Sequence, residues 1–311
     1  MNFWTTLPKP FFVLAPMEGV TDVVFREIVA LCLPKPDVFF TEFTNIDGLN
    51  SEGKKATLTR LKLTKSQHPV VAQLWGTRPD HMEKSAALCA KLGFDGIDIN
   101  MGCPDRAVMK SGGGSALINT PSIAADLIRA ARAGAKQLPV SVKTRIGVNT
   151  INTDEWISFL LQQNIDVLTV HGRTAKQKSD VPANWEEIGK AVRIKNEIAP
   201  HTLVVGNGDI ESVESGQSMM ERHGVDGIMV GRGIFHNPWV FEKNTSIHTK
   251  EEYLTVLRKH VELYTKTWGE GKNFDVMKKF FKMYVNSFPG AAEYRAKLME
   301  CKTPAEVYQL L

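Results

Sequence analysis

Short runs of consecutive apolar residues recur along the first three quarters of the chain, and polar segments with helical spacing separate them. The eight runs lie at residues 11–17, 38–43, 70–75, 96–100, 140–145, 167–171, 203–206 and 227–231. Residues 80–92 and 122–135 are examples of the helical spacing between runs. Apolar runs of strand length that alternate with amphipathic helices are typical of parallel strands covered by helices.

Eight such units favour a particular α/β architecture. A (β/α)8 TIM barrel has this number of strand-helix units and about this length. A doubly wound open sheet is the main alternative, but it usually carries a glycine-rich phosphate fingerprint in its first turn. Residues 15–19 read APMEG and do not have that form. We therefore predict a TIM barrel over residues 1–244.

The pattern changes after Trp239. Helical periodicity replaces the strand-length runs, at residues 250–268, 275–288, 291–300 and 304–311. We predict that residues 245–311 form a small helical domain that follows the barrel.

Charge distinguishes this second part of the chain from the first. The whole chain has a formal net charge of +4, and residues 245–311 supply +3 of it, with 11 Lys and Arg against 8 Asp and Glu. Three of these lysines, Lys278, Lys279 and Lys282, fall within two helical turns. A basic helical surface favours an anionic partner, although an ordinary solvated face has the same composition. We expect the neighbouring aromatic residues at 280, 281 and 284 to form the core of the helical domain.

Composition also restricts the class of protein. At 43% hydrophobic residues the chain can bury a large core, and no stretch approaches the roughly 20 apolar residues of a membrane span. Residues 1–10 lack the pattern of a signal peptide. The four cysteines have no C-x-x-C spacing, which suits a reducing compartment and indicates neither a disulfide framework nor a metal site. These features predict a soluble cytoplasmic protein, which we expect to be a monomer.

Polar residues cluster where the apolar runs end. In a TIM barrel the carboxyl ends of the strands surround the active site, so these residues should converge on one pocket. Each of them alone has a structural explanation, but their occurrence at nearly every strand end favours a common site. They include Glu18, Glu42, Gln73, Asn100, Cys103, Lys143, Arg145, His171, Asn207, Asp209 and Arg232.

Small residues after the last two runs point to a phosphate. Residues 206–210 read GNGDI and residues 230–233 read VGRG. Barrels commonly bind phosphate after strands seven and eight through backbone N–H groups, and Arg232 would add a charge-assisted bond. Lys143 and His171 would face the same pocket. This set suits a phosphorylated cofactor with a flat, electron-rich ring.

Seven motifs together resemble one enzyme family. They are LAPMEGVTD at residues 14–22, NMGCP at 100–104, GGGSAL at 112–117, VKTRIG at 142–147, VHGRT at 170–174, GNGDI at 206–210 and VGRG at 230–233. The chain resembles the tRNA-dihydrouridine synthases from about residue 14 to residue 311. These are flavin enzymes that reduce a uridine in tRNA.

The resemblance implies a cofactor, a reductant and a role for each motif residue. FMN would bind at the mouth of the barrel and be reduced by NADPH, hydride would pass to C6 of the uracil, and Cys103 would protonate C5. Asn100 and Arg145 would contact the substrate, and Lys278, Lys279 and Lys282 would contact tRNA phosphates. The residues expected to bind FMN are Pro16, Met17, Glu18, Gln73, Lys143, His171, Asn207, Gly208, Asp209, Gly231 and Arg232.

Two segments depart from the pattern of the family. Residues 177–179 read QKS in place of the usual Gly-Tyr pair, and Asp105-Arg106 stands where Ser-Lys is frequent. Both departures concern the contacts to RNA. Two other functions therefore stay open, namely an FMN barrel that reduces a free pyrimidine or enone, and a non-catalytic RNA-binding barrel.

Overall fold

The strands form a closed parallel barrel. The computed structural model describes residues 2–244, 246–286 and 288–311. The strands in that part of the chain are β1 (Phe11–Leu14), β2 (Val38–Phe40), β3 (Thr44–Asn45), β4 (Val70–Trp75), β5 (Gly96–Met101), β6 (Val140–Arg145), β7 (Val167–His171), β8 (Leu203–Asn207) and β9 (Gly227–Val230). All the ladders are parallel, and the pairing of β1 with both β2 and β9, with β2 beside β4, closes the ring. The TIM-barrel prediction is confirmed.

Helices follow the strands and cover the outside of the barrel. They are α1 (Val23–Cys32), α2 (Ile46–Leu49), α3 (Lys54–Leu58), α4 (Pro79–Leu92), α5 (Arg106–Lys110), α6 (Pro121–Ala135), α7 (Thr153–Leu161), α8 (Trp185–Ile198), α9 (Val213–His223) and α10 (Gly233–His236). Local signals set their ends. The carboxylate of Asp22 accepts hydrogen bonds from the first turn of α1, and a capping box at Ser212 begins α9.

The burial of both strand faces explains why the sequence shows continuous apolar runs. Val13, Phe40, Val71 and Val205 fill the inside of the barrel together with Trp4, and a second, larger cluster lies between the strands and the helices. The run at residues 38–43 does not form one strand. It ends as a strand at residue 40, and the two-residue strand β3 then extends the sheet by pairing with β4.

In the described part of the chain, four further helices follow the barrel, and the first of them packs against α1. They are α11 (Lys250–Trp268), α12 (Lys278–Tyr284), α13 (Ala291–Glu300) and α14 (Pro304–Leu310). Phe25 of α1 stacks on Phe280 of α12 with ring centroids 5.2 Å apart. Phe281 and Tyr284 are fully buried, so the prediction that these aromatic residues form core is confirmed.

Three details complete this C-terminal part. The predicted helix at residues 275–288 is shorter, because a 3₁₀ turn spans Phe274–Met277 and α12 ends at Tyr284. The predicted boundary at Thr245 lies outside the described residues. In the described part of the chain, none of the helices combines the length and the apolar composition that a bilayer crossing needs.

Candidate active site

A cavity of about 320 Å³ opens at the carboxyl ends of the barrel strands. Its volume lies in the range of ligand-binding sites. Twelve of the residues that the sequence predicts for the site line it: Pro16, Met17, Asn100, Cys103, Lys143, Arg145, His171, Asn207, Gly208, Asp209, Gly231 and Arg232. Most of the polar strand ends therefore meet at one cavity, although Glu42, which the sequence also placed there, does not line it.

Five predicted site residues do not line this cavity. Glu18 is exposed and forms a two-point ion pair with Arg60, and it lines a neighbouring cavity instead. Gln73 is fully buried. The other three are Lys278, Lys279 and Lys282 on α12.

The Cys103 loop is held by the side chain of Asn100. The Asn100 amide oxygen accepts hydrogen bonds from the backbone N–H groups of Gly102, at 3.1 Å, and of Cys103, at 2.8 Å. Its amide nitrogen donates to Gln73 at 2.9 Å. One hydrogen of that nitrogen is left for a ligand in the cavity.

Gln73 continues this chain of hydrogen bonds into the interior. Its amide nitrogen donates to Asp98 at 2.7 Å, and the other carboxylate oxygen of Asp98 accepts from the Ser141 hydroxyl at 2.6 Å. Asp98 is fully buried, and this burial raises the pKa of its carboxyl from 3.8 to about 6. The chain fixes the amide orientations of Gln73 and Asn100, and through them the backbone beside Cys103.

Arg145 and the glycine-rich segment hold the same loop from two other sides. Arg145 donates to the carbonyl groups of Gly102 at 2.8 Å and Lys178 at 2.8 Å, which ties the loops after β5 and β7 together. The carbonyl of Cys103 accepts from the Ser115 backbone at 3.0 Å. Gly114 permits this approach, because it has φ +58° and a Cβ there would lie 2.6 Å from the Cys103 carbonyl oxygen.

The Cys103 thiol is in the protonated form that a proton donor needs. It is half-buried at the cavity wall, and burial raises the pKa of its thiol above the ordinary value. The thiol is therefore protonated at neutral pH and can donate its proton to a ligand.

Lys143 contributes a positive charge to the cavity wall, and His171 contributes a neutral imidazole ring. The Lys143 ammonium donates to the Asn207 amide oxygen at 3.0 Å, and burial together with the charge of Arg145 lowers its pKa to about 8. Burial and the surrounding cations hold the pKa of His171 well below its ordinary value, so the ring is neutral. Arg173 lies 3.0 Å from His171 Nε2 and donates to it, which leaves the ring hydrogen on Nδ1.

The loops after β7, β8 and β9 form one end of the cavity, and these loops contain small residues. Gly208 has φ +135°, and Arg173 pairs with Asp209 at 2.6 Å. Arg232 is exposed, and its guanidinium lies 3.5 Å from the same carboxylate. Gly233 begins α10, and the N–H groups of Ile234 and Phe235 in its first turn already donate to the carbonyls of Gly231 and Arg232.

Some site residues were missed from the sequence. Phe43, Ser179, Glu211 and His236 line the cavity but were not assigned to it. Arg173 also lines it and was given no specific role, although it lies at the same strand end as His171 in the VHGRT motif. Ser179 and Glu211 lie in loops, Phe43 falls at the end of the apolar run at residues 38–43, and His236 ends α10, and the apolar pattern does not show that any of them faces the cavity.

The residues that depart from the family pattern have structural roles here. The carboxylate of Asp105 caps α5 by accepting from the backbone of Ala107 and Val108. The Gln177 side chain accepts from the backbone of Thr174 at 2.8 Å. Lys178, as described above, offers its carbonyl to Arg145. Ser179 lies at the cavity wall.

The three lysines of α12 differ in their surroundings. Lys278 pairs with Asp275 at 2.7 Å, and Lys279 donates to the carbonyl of Gly19 at 2.6 Å. Lys282 is exposed, and no described residue pairs with its ammonium group. Only Lys282 therefore presents an uncommitted charge to solvent.

Comparison with known proteins agrees with this geometry. A family model described as dihydrouridine synthase (Dus) matches residues 13–311. A probable tRNA-dihydrouridine synthase from Staphylococcus aureus (strain Mu50) is 46% identical over 313 residues, covering 100% of this chain and 94% of that protein. Probable tRNA-dihydrouridine synthase 2 of Bacillus subtilis (strain 168) is also 46% identical, and the match covers 95% of it.

Solved structures show the same fold at low sequence identity. An old yellow enzyme homologue from Zymomonas mobilis matches with a TM-score of 0.53 and 16% identity, over 79% of this chain and 94% of that one. A 2-naphthoyl-CoA reductase matches with a TM-score of 0.55 and 12% identity, over 75% of this chain and 49% of that one. The match over nearly the whole length to the family model and to both bacterial relatives shows that this chain belongs to the dihydrouridine synthase family.

Proposed function

We propose that this protein is a tRNA-dihydrouridine synthase that uses FMN and NADPH to reduce the C5–C6 double bond of a uridine in tRNA. The substrate class follows from the names of the 46% identical relatives. The observation that carries the proposal is Cys103, a protonated thiol held at the wall of the cavity by Asn100 and Arg145.

The cavity fits a flavin with a phosphate. Among the described residues no carboxylate forms an ion pair with Lys143, which donates to a neutral amide and interacts with the charge of Asp98 only at longer range. An anionic ligand would therefore supply a counter-charge in direct contact with it. Small residues and Arg232 lie at the other end, where a phosphate would bind to backbone N–H groups. We assign the flavin contacts to Pro16, Met17, Lys143, His171, Asn207, Gly208, Asp209, Gly231 and Arg232.

Gln73 and Glu18 have weaker support as flavin ligands. The Gln73 side chain already accepts from Asn100 and donates to Asp98, which leaves it one N–H. Glu18 is paired with Arg60. We therefore assign Gln73 mainly to holding Asn100, and Glu18 to the neighbouring cavity.

The residues of this chain supply the proton and the electrostatic support for the reduction. Bound FMN would supply the hydride that adds to C6 of the uracil. Negative charge then develops over C5 and O4, and the Cys103 thiol gives its proton to C5 to complete the saturated bond. Lys143 stabilises negative charge in the cavity as it develops, and the neutral His171 does not compete for the proton.

The target base must leave the stacked RNA to reach Cys103. We assign residues 245–311 to gripping the tRNA, since they carry most of the net charge and pack beside the barrel mouth through Lys279 and Gly19. The dihydrouridine synthase family is a family of enzymes, which argues against the non-catalytic RNA-binding alternative.

The test measures the conversion of uridine to dihydrouridine in tRNA. Purified protein is incubated with NADPH and an unmodified tRNA transcript, and dihydrouridine is measured by mass spectrometry of the nucleosides. Cys103→Ala should keep its flavin but lose roughly 10²–10⁴ in rate, as expected for one acid. Cys32→Ala, which removes a half-buried thiol on α1, is the matched control.

Two results would overturn this function. One is turnover of free uridine or a simple enone with no conversion of tRNA, which would favour the alternative reductase. The other is a purified protein from which denaturation releases no FMN.

A further inference from the structure

A second cavity of about 490 Å³ adjoins the first. The two cavities share Phe43 and Cys103 in their linings. The remaining wall of the second cavity is formed by Glu18, Asn45, Thr57, Arg60, Trp75, Asp105 and Val108. A ligand held at Cys103 in the first cavity would therefore be in direct contact with whatever occupies the second.

The polar groups that suit hydrogen bonding to the edge of a uracil line the first cavity and not the second. Asn100 and Arg145 line the first cavity and are absent from the wall of the second. The target base, which needs hydrogen bonds and the Cys103 proton together, belongs in the first cavity. The second cavity is left for a neighbouring group.

Aromatic side chains form the part of the second cavity that can hold a ring. Phe43 and Trp75 are both half-buried, and their rings meet at 76° with centroids 6.4 Å apart. Trp75 is held from behind, since a Cβ at Gly113 would lie 3.1 Å from its ring. Val108 adds a buried apolar side chain.

The charges in this wall are already neutralised. Arg60 makes two contacts with Glu18, at 2.7 Å from one nitrogen and 2.5 Å from the other, and lies 3.4 Å from Glu42. Asp105 is committed to the start of α5. A phosphate would therefore find no free cation here, whereas a neutral flat ring would stack on Trp75 with the Phe43 ring nearly perpendicular to it.

We propose that the second cavity binds the base of the nucleotide next to the target uridine, stacked on Trp75. The proposal rests on the function proposed above, in which the ligand at Cys103 is a base of an RNA strand. An RNA strand with one base at Cys103 carries its next base one backbone step away, and single-stranded bases bind proteins by stacking on aromatic rings. Trp75 then contributes to substrate affinity and Cys103 to the chemistry.

The experiment measures the tRNA dissociation constant without NADPH, so that it does not depend on turnover. Trp75→Ala should weaken binding by roughly 5- to 100-fold, the loss expected for one stacked base. Trp75→Phe keeps an aromatic face and should bind nearly as the wild type does. Phe159→Ala, a half-buried aromatic residue on α7, controls for the loss of a ring elsewhere.

A coupling measurement identifies the occupant. The dissociation constants of the wild type and of Trp75→Ala are measured for transcripts that carry an abasic nucleotide on the 5′ or the 3′ side of the converted uridine. At one of the two positions, the abasic site should weaken binding to the wild type and have no further effect on the variant. Trp75→Leu, which retains apolar bulk against Gly113, repeats the comparison if the alanine variant does not fold.

Three results would overturn the proposal: unchanged tRNA affinity in both Trp75→Ala and Trp75→Leu, additive losses at both flanking positions, or a raised KM for NADPH with unchanged tRNA affinity. The last result would assign the cavity to the reductant. Failure of the proposed function can be distinguished from failure of the stacking proposal. In that case the wild type itself would produce no dihydrouridine, whatever the Trp75 variants bind.

Discussion

Asp98 should make the stability of this protein depend on pH in a way that one substitution removes. It is the buried end of the hydrogen-bond chain that runs through Gln73 and Asn100 to the Cys103 loop. Burial raises the pKa of its carboxyl from 3.8 to about 6, and the bonds from Ser141 and Gln73 only partly offset that cost. The folded state therefore holds this proton more tightly than the unfolded chain does.

The direction in which folding stability changes with pH follows from that difference in proton affinity. The contribution of Asp98 to folding is fully present below pH 3.8 and is lost as the pH rises through about 6. A shift of roughly two pKa units corresponds to about 3 kcal/mol. Asp98→Asn cannot ionise, so this loss should disappear.

The variant also keeps the hydrogen-bond pattern. Its amide oxygen can accept from Gln73 and its amide nitrogen can donate to the Ser141 hydroxyl. That hydroxyl can turn to the Ile97 carbonyl, which lies 3.3 Å away. Asp98→Ala offers no such partner and should leave the Gln73 amide unpaired, at a cost of about 1–3 kcal/mol.

The measurement is urea unfolding of wild type and Asp98→Asn across this pH range. The unfolding free energy of the variant minus that of the wild type should rise by up to about 3 kcal/mol between pH 3.8 and a pH above about 6. Taking the difference cancels the other titrating groups. Asp180→Asn, which removes an exposed carboxylate, is the control. A difference that stays constant, or that falls as the pH rises, would show that Asp98 does not hold its proton more tightly in the folded state.

Four further predictions concern the site and α12. Lys143→Met and Arg232→Ala should both weaken FMN binding, but excess FMN should restore tRNA turnover only to the Arg232 variant, and equal rescue would remove Lys143 from the catalytic role. Wild-type FMN affinity should also fall as the pH rises through about 8, where Lys143 loses its proton, and Lys143→Met should abolish that fall in a titration of bound flavin. Lys282→Gln should flatten the slope of log K for tRNA against log salt by about 0.7–0.9, whereas Lys278→Gln should change it less because Asp275 already neutralises that lysine; equal slopes for the two variants would contradict this. Arg145→Lys should lower the free energy of unfolding by about 2 kcal/mol, because a lysine cannot reach both carbonyl groups, and urea unfolding checks it.

The apolar pattern of the sequence is enough to predict the barrel and the end of it at which the candidate site lies. Strands that are buried on both faces must be apolar throughout, so each of the eight appears as a continuous run that can be counted without a structure. In a barrel the ends of all strands face one mouth. Cys103, Lys143, His171 and Asn207, each within two residues of a strand end, could therefore be assigned to one cavity.

The contacts of each side chain at that end of the barrel depend on the tertiary structure. Gln73 and Glu18 both follow the strand-end rule, yet Gln73 is buried in the chain from Asp98 to Asn100 and Glu18 turns to Arg60, 42 positions away in the sequence. Periodicity reports which positions are buried. It does not report which partner a polar side chain finds across the fold, and those partners determine whether its charge is neutralised, how far its pKa moves and whether it remains free to meet a ligand.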